Sequence, residues 1–214
     1  MDLALFAHIS GGAIGLLSGV SALSIGKGAG LHKRAGSTFV ISMLVMAVSG
    51  GVLAYEAGKP FDVLSSWLTS YMVLTGWISF RAAAKRSLKA LMWVGGGCMV
   101  GYLSVELYAV ATAIRATDAP TGAGYVFAAV LGLALIGDYK LLNRSYQSRQ
   151  KKIRHLWRMN FGLLIATVSF FGARPHLFPQ WMQESGVLLL LALAPVMVMV
   201  YWQIRLRPRI LRHA

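Results

Sequence analysis

One cysteine, Cys98, stands in a chain of 214 residues. A lone thiol excludes an internal disulfide and any zinc or iron–sulfur site built on cysteine. Inside an apolar stretch it reads as a small packing residue. Acid is also scarce: Asp and Glu number 7 against 21 Lys and Arg, and charge of both signs makes up only 13% of the chain. A soluble domain carries about 25%. No His-Glu-x-x-His, Ser-His-Asp order, P-loop or Gly-x-Gly-x-x-Gly occurs, so the chemistries those motifs support have nothing to stand on. The longest hydrophilic stretch, about residues 143–155, is too short for a soluble domain. There is no convincing internal repeat, and with it goes the inverted-repeat signature of many transporters.

What the chain has is apolar length. It is 57% hydrophobic, with a mean hydropathy of +0.61. A membrane span needs about 20 mostly apolar residues. Seven such stretches occur, at roughly 3–25, 38–57, 62–83, 88–114, 122–142, 156–177 and 186–204. The first, second, fourth and seventh are the strongest. Asp138 and Lys140 crowd the end of the fifth, and His155, Arg158 and Asn160 stand at the start of the sixth. The expected fold is all-α: one transmembrane bundle over residues 1–214, with seven spans. The N-terminal run has no basic segment, carries Asp2 and lacks a clean cleavage site, so it reads as a retained first span and not as a signal peptide.

Basic residues test that count. Lys27, Lys33 and Arg34 follow span one. Arg81, Lys85, Arg86 and Lys89 follow span three. Lys140, Arg144, Arg149, Lys151, Lys152, Arg154 and Arg158 separate spans five and six, and Arg205, Arg207, Arg209 and Arg212 close the chain. Together these are 18 of the 21 Lys and Arg, all on one side of a seven-span bundle. The positive-inside rule makes that side cytoplasmic, with the N-terminus outside and the C-terminus inside. The net charge of +14 then sets topology and meets anionic lipid at the cytoplasmic face. Nucleic acid is not an expected partner.

Candidate chemistry collects at the two faces. Gly11, Gly15 and Gly19 give span one a small-residue side for close helix approach, and His8 shares that side. Glu106, with Tyr102 one turn before it, is an intramembrane acid. It is a functional group or the partner of His8 or Arg115. In span six, His155, Arg158, Gly162, Ala166, Ser169, Ala173 and His176 recur at steps of three and four and define a stripe expected to face inward. Asp138 is the natural partner of Arg158 or Arg154, and a salt bridge between spans five and six accounts for it without any ligand. The inner cluster is therefore His32, Arg34, Asp138, His155, Arg158 and Asn160. The outer cluster is His8, Glu106, Arg174 and His176, with Tyr55 and Glu56 nearby.

Two stretches, "HISGGAIGLLSGVSALSIGKGAGLHKRAGSTFVISML" and "RHLWRMNFGLLIATVSFFGA", resemble a family of predicted bacterial multi-pass membrane proteins that is catalogued as a domain of unknown function. The resemblance rests on His8, Gly12, Gly19, Gly28, His32, Arg34 and Gly36, and on Arg154, His155, Arg158, Ser169 and Phe170. It implies a bacterial inner-membrane setting and brings no activity.

Histidines at both faces, with small residues for clearance and Arg or Lys for acidic groups, suit a cofactor-linked redox protein. Haem b or quinone is the candidate cofactor, and His8, His176, His32 and His155 are the candidate haem ligands. The depth of His32 and His176, at the very ends of spans, counts against haem. A proton-linked small-solute transporter and an accessory subunit, joined to a membrane-protein partner or a second copy, are the alternatives. An odd number of spans places the termini on opposite sides. A fluorescent-protein fusion at the C-terminus should therefore fluoresce in the cytoplasm, and a phosphatase fused there should be inactive. An active phosphatase at that position refutes the topology.

Overall fold

The computed structural model describes residues 2–80, 85–112, 123–143, 148–172 and 174–206. Among them every regular element is helical. Seven long helices stand where the seven stretches were expected: α1 (Leu3–Ser24), α2 (Gly30–Glu56), α3 (Pro60–Trp77), α4 (Lys85–Thr112), α5 (Ala123–Asn143), α6 (Ser148–Thr167) and, after the short α7 (Gln180–Glu184), α8 (Val187–Leu206). Among the described residues, four regions are long and apolar enough to cross a membrane: α1, α2, Tyr125–Asn143 of α5, and Val187–Arg205 of α8. The fifth stretch thus meets that test despite Asp138, and the fourth, expected to be stronger, does not among the described residues.

Glycine sets the distance between α1 and α2. Gly11, Gly15 and Gly19 are buried. A Cβ at Gly11 would lie 3.0 Å from the Met46 nitrogen and the Ser42 oxygen, so the two backbones all but touch. The turn between them passes through Gly28, at φ 89°, a conformation other residues adopt only under strain.

α3 lies at the centre. One side of it meets Phe39, Val40 and Met43 of α2 and Leu163 and Ala166 of α6 through Val73. The other side meets Leu131 and Ala134 of α5 through Leu68, Tyr71 and Met72. α6 packs against α3, α8 and α1. The approach of α6 to α3 again needs glycine: a Cβ at Gly162 would lie 2.7 Å from Val73, and one at Gly76 would lie 3.1 Å from the Arg158 Cβ.

The inward stripe of span six holds only in part. Arg158, Gly162 and Ala166 are buried and His155 is half-buried, but Ser169 and His176 are exposed, and Ala173 lies outside the described residues. The cause is a change of helix type. Val168–Gly172 is a π-helical turn, whose wider i→i+5 bonding rotates the register. Pro175 follows, with no N–H to continue the ladder.

Overpacking a tight helix contact costs about 1–3 kcal/mol. Gly162→Val should therefore lower the thermal unfolding midpoint in detergent. Gly97→Ala, where nothing among the described residues lies within 4 Å of the added carbon, should not.

Candidate functional site

Two polar groups of residues meet at the end of the bundle that carries His32 and Asp138. The first is an ionic knot. Tyr71, Thr75 and Ser79 follow one another at steps of four along α3 and its 3-10 extension Ile78–Phe80, so all three hydroxyls lie on one face. Asp138 is one turn from the end of α5. Arg154 and Arg158 are one turn apart on α6.

The bonds of the knot leave little unused. Arg154 reaches Asp138 Oδ1 through Nη2 at 2.5 Å and Nε at 3.2 Å. Arg158 Nη2 donates to the same oxygen at 2.8 Å and to the Ala134 carbonyl at 2.7 Å. Tyr71 donates to Oδ2. Arg154 Nη1 donates to the Thr75 carbonyl and the Ser79 hydroxyl, and Arg158 Nη1 donates to the Thr75 hydroxyl. The Thr75 hydroxyl itself donates to the Tyr71 carbonyl at 2.5 Å. The Arg158 guanidinium also lies 5.3 Å from the Trp157 ring centre and 5.6 Å from that of Tyr71. Asp138 and Arg158 have 0% of their surface exposed, and Arg154 has 4%. Both arginines pair with Asp138, and α3 joins α5 and α6 in the fastening.

The second group of residues lines a cavity of about 790 Å³ between α1, α2, α3, α6 and α8. Its polar wall includes Lys27, His32, Lys33, Lys152, His155 and Asn160. Phe39, Trp77, Leu163 and Trp202 supply much of its apolar wall. His32 Nδ1 donates to the Ala22 carbonyl at 3.0 Å, and His155 Nδ1 donates to the Gly76 carbonyl at 3.0 Å. A carbonyl only accepts, so each ring carries its hydrogen on Nδ1. Asn160 Nδ2 donates to the Leu156 carbonyl at 2.8 Å, which fixes the amide orientation. Its Oδ1 is shielded from solvent and has no partner among the described residues. Lys27 caps the end of α1 by donating to the Ala22 and Leu23 carbonyls at 3.0 and 2.6 Å. Partial burial lowers its ammonium from the ordinary lysine range.

The inner cluster therefore divides. His32, His155 and Asn160 share the cavity, Asp138 and Arg158 share the knot, and Arg34 is exposed and in neither. The outer candidates are dispersed. His8 donates from Nδ1 to the Met46 carbonyl at 2.8 Å, with its ring against Gly50. Arg174 is exposed, His176 is exposed in the 3-10 turn Pro175–Leu177, and Tyr55 and Glu56 are exposed at the end of α2. No hydrogen bond or ion pair joins His8, Arg174 and His176 among the described residues. Arg115 and the side chains of Glu106 and Tyr102 lie outside the described residues. Among the described residues no three His, Cys, Asp or Glu side chains gather as a metal site would need.

Fold and site define an all-helical protein with helices fit to cross a membrane, an ionic knot, and a cavity beside it. No family model, curated protein or solved structure matches the chain.

Removing one partner of a buried ion pair costs about 3–5 kcal/mol, because the charge left behind stays desolvated. Asp138→Asn should therefore destabilise the protein by about that much in denaturant unfolding, while His176→Ala, at an exposed turn, should leave the unfolding midpoint unchanged.

Proposed function

We propose that the chain is a seven-span protein of the bacterial inner membrane, N-terminus outside and C-terminus cytoplasmic, that works in membrane electron transfer. Its cytoplasmic-end cavity holds the cofactor, a b-type haem or a quinone. One observation carries this reading: His32 and His155 line a single cavity, and each is held in the same tautomer by a backbone carbonyl. A carbonyl bond at Nδ1 is the usual support of a histidine that serves a ligand through Nε2. The cavity's volume falls within the roughly 300–1,000 Å³ of small-molecule sites.

The donor set suits either cofactor. Phe39, Trp77 and Leu163 exclude water from a flat apolar ring. Lys33 and Lys152 hold acidic groups near the cytoplasmic surface, as a propionate or a polar head requires. A bound haem supplies one-electron chemistry, and a quinone supplies coupled electron and proton chemistry. Membrane insertion draws further support from the outward faces. Leu3, Phe6, Ile9 and Leu17 of α1 and Leu189 and Leu190 of α8 are exposed, an apolar surface that lipid covers and water does not.

The accessory-subunit reading has one observation of its own. Among the described residues nothing lies within 4 Å of the Cβ positions of Gly96 and Gly97 on α4, which leaves room there for another helix to approach.

Absorbance spectra of the protein purified in mild detergent, before and after reduction, test the proposal together with solvent extraction and mass spectrometry for quinones. A Soret band that shifts on reduction, or a stoichiometric quinone, is expected. His155→Ala should lose it and His8→Ala should keep it. A protein with neither chromophore nor extractable quinone overturns the proposal.

A further inference from the structure

We infer that the ligand of this cavity is an anionic amphiphile, with a phosphate or carboxylate head at the mouth and an apolar body among the helices. The inference rests on the reading of the cavity as a ligand site and narrows it to acidic ligands. Haem b, with its propionates, belongs to that class, and a neutral quinone does not.

The basis is the order of residues from the mouth inward. On α6 Lys152 comes first, and Leu156, Met159 and Leu163 follow it along the cavity. Lys152 and Leu163 are separated by roughly 16 Å at 1.5 Å per residue. On α2 Lys33 stands in the first turn, and Phe39 lies deeper and is buried. α1 runs the other way: Gly19 and Leu23 precede its end, and Lys27 comes just after it. Three helices thus bring a lysine to the same end of the cavity and apolar residues to the other. None of the described residues that line it is acidic.

The lysines at the mouth call for an anion. Lys33 and Lys152 are exposed, and among the described residues neither is in an ion pair. An ammonium only donates, and a phosphate or carboxylate oxygen accepts. Lys27 contributes charge alone, because its hydrogens go to the Ala22, Leu23 and Ile25 carbonyls. Three cations around one mouth repel one another, and an anion between them reverses the sign of that interaction. The deeper wall calls for something else. Phe39, Trp77, Met159 and Trp202 are surfaces for an apolar body, and a small anion by itself would leave them wet. Gly36 keeps the space open, since nothing among the described residues lies within 4 Å of its Cβ position.

Trp77 and Trp202 line the cavity, so tryptophan fluorescence of the full chain in a neutral detergent reports binding. The probes are dodecyl phosphate, dodecanol and inorganic phosphate. Dodecyl phosphate should half-saturate at a concentration about tenfold below that of dodecanol, the factor two partly exposed ion pairs supply together. Added salt should shrink that ratio. Inorganic phosphate should not saturate the signal in the same range. Lys33→Gln combined with Lys152→Gln should erase the ratio. Arg34→Gln, at an exposed residue outside the cavity, should preserve it. Gly36→Phe should weaken both alkyl probes. Where a Soret band shows haem in place, the acid is the haem's own, and the readout is the rate of haem transfer to excess serum albumin. The double lysine variant should raise that rate about tenfold, and Arg34→Gln should not. Equal affinity for phosphate and alcohol, a ratio that survives the lysine substitutions, or alkyl binding unmoved by Gly36→Phe overturns the inference. An extractable quinone in such a protein leaves the cofactor reading standing. A Soret band with an unchanged rate of haem transfer overturns the inference and leaves the haem reading. A protein with no chromophore, no quinone and no probe binding overturns both. The alkyl pair needs only the unaltered chain, so a variant that fails to fold does not prevent the test.

Discussion

The Asp138 carboxylate governs the arrangement of this bundle. It takes both arginines on one oxygen and a tyrosine on the other, with no surface exposed. Within this group two cations face one anion, so a positive charge is in excess inside the fold. Charge buried away from water is expensive unless its hydrogens are bonded and its field is met by dipoles. Here the Thr75 and Ala134 carbonyls, the Thr75 and Ser79 hydroxyls, and the faces of Trp157 and Tyr71 meet it. Every one of those groups belongs to α3 with its 3-10 extension, to α5 or to α6. A slip of any of the three helices by one residue would leave a guanidinium facing hydrocarbon. The knot therefore sets helix register, a task that nondirectional apolar contacts perform poorly.

Register at the knot determines what α6 presents on its other side. A helix turns about 100° per residue, so Arg154 and Arg158 fall within about 40° of each other, and Lys152, His155, Met159 and Leu163 centre roughly 120° further round. The same helix thus turns one polar face to Asp138 and a second to the cavity. Gly76 serves both faces. Its missing side chain admits the Arg158 Cβ, and its carbonyl accepts from His155. Cavity and knot are mechanically one unit although no ligand could reach the knot's carboxylate.

Much of this was legible in the chain, and the part that was not has a definite cause. Seven helices, the small face of α1 and the Asp138–arginine pairing all follow from spacing and charge. The single inward stripe from His155 to His176 was too coarse. His155 and Arg158 differ by only about 60°, so periodicity could not divide them between two faces, and the π turn at Val168 rotates everything beyond it. Tyr71, Thr75 and Ser79 passed for ordinary residues of an apolar span, because helical hydroxyls commonly bond back to their own backbone, as Thr75 does. Their spacing at steps of four was the available signal. Aligned hydroxyls on a span matter when another helix brings unmatched arginines, and that pairing is tertiary.

The histidines show why one hydrogen bond need not decide between structure and function. His8, His32 and His155 all do the same thing: each donates Nδ1–H to a carbonyl of a neighbouring helix. Taken alone, that is an interhelical pin. It is also the bond that fixes a tautomer and aims Nε2, which a ligand-binding imidazole requires. The pin and the ligand role share their first step, so the surroundings of the ring must separate them. A Cβ at Gly50 would lie 2.8 Å from the His8 ring, which is set into the closely packed contact of α1 with α2. His32 and His155 border a cavity large enough for a small molecule. An identical bond therefore lies in a closed helix contact in one place and at the edge of a cavity in the other. The difference lies in the space beside the ring.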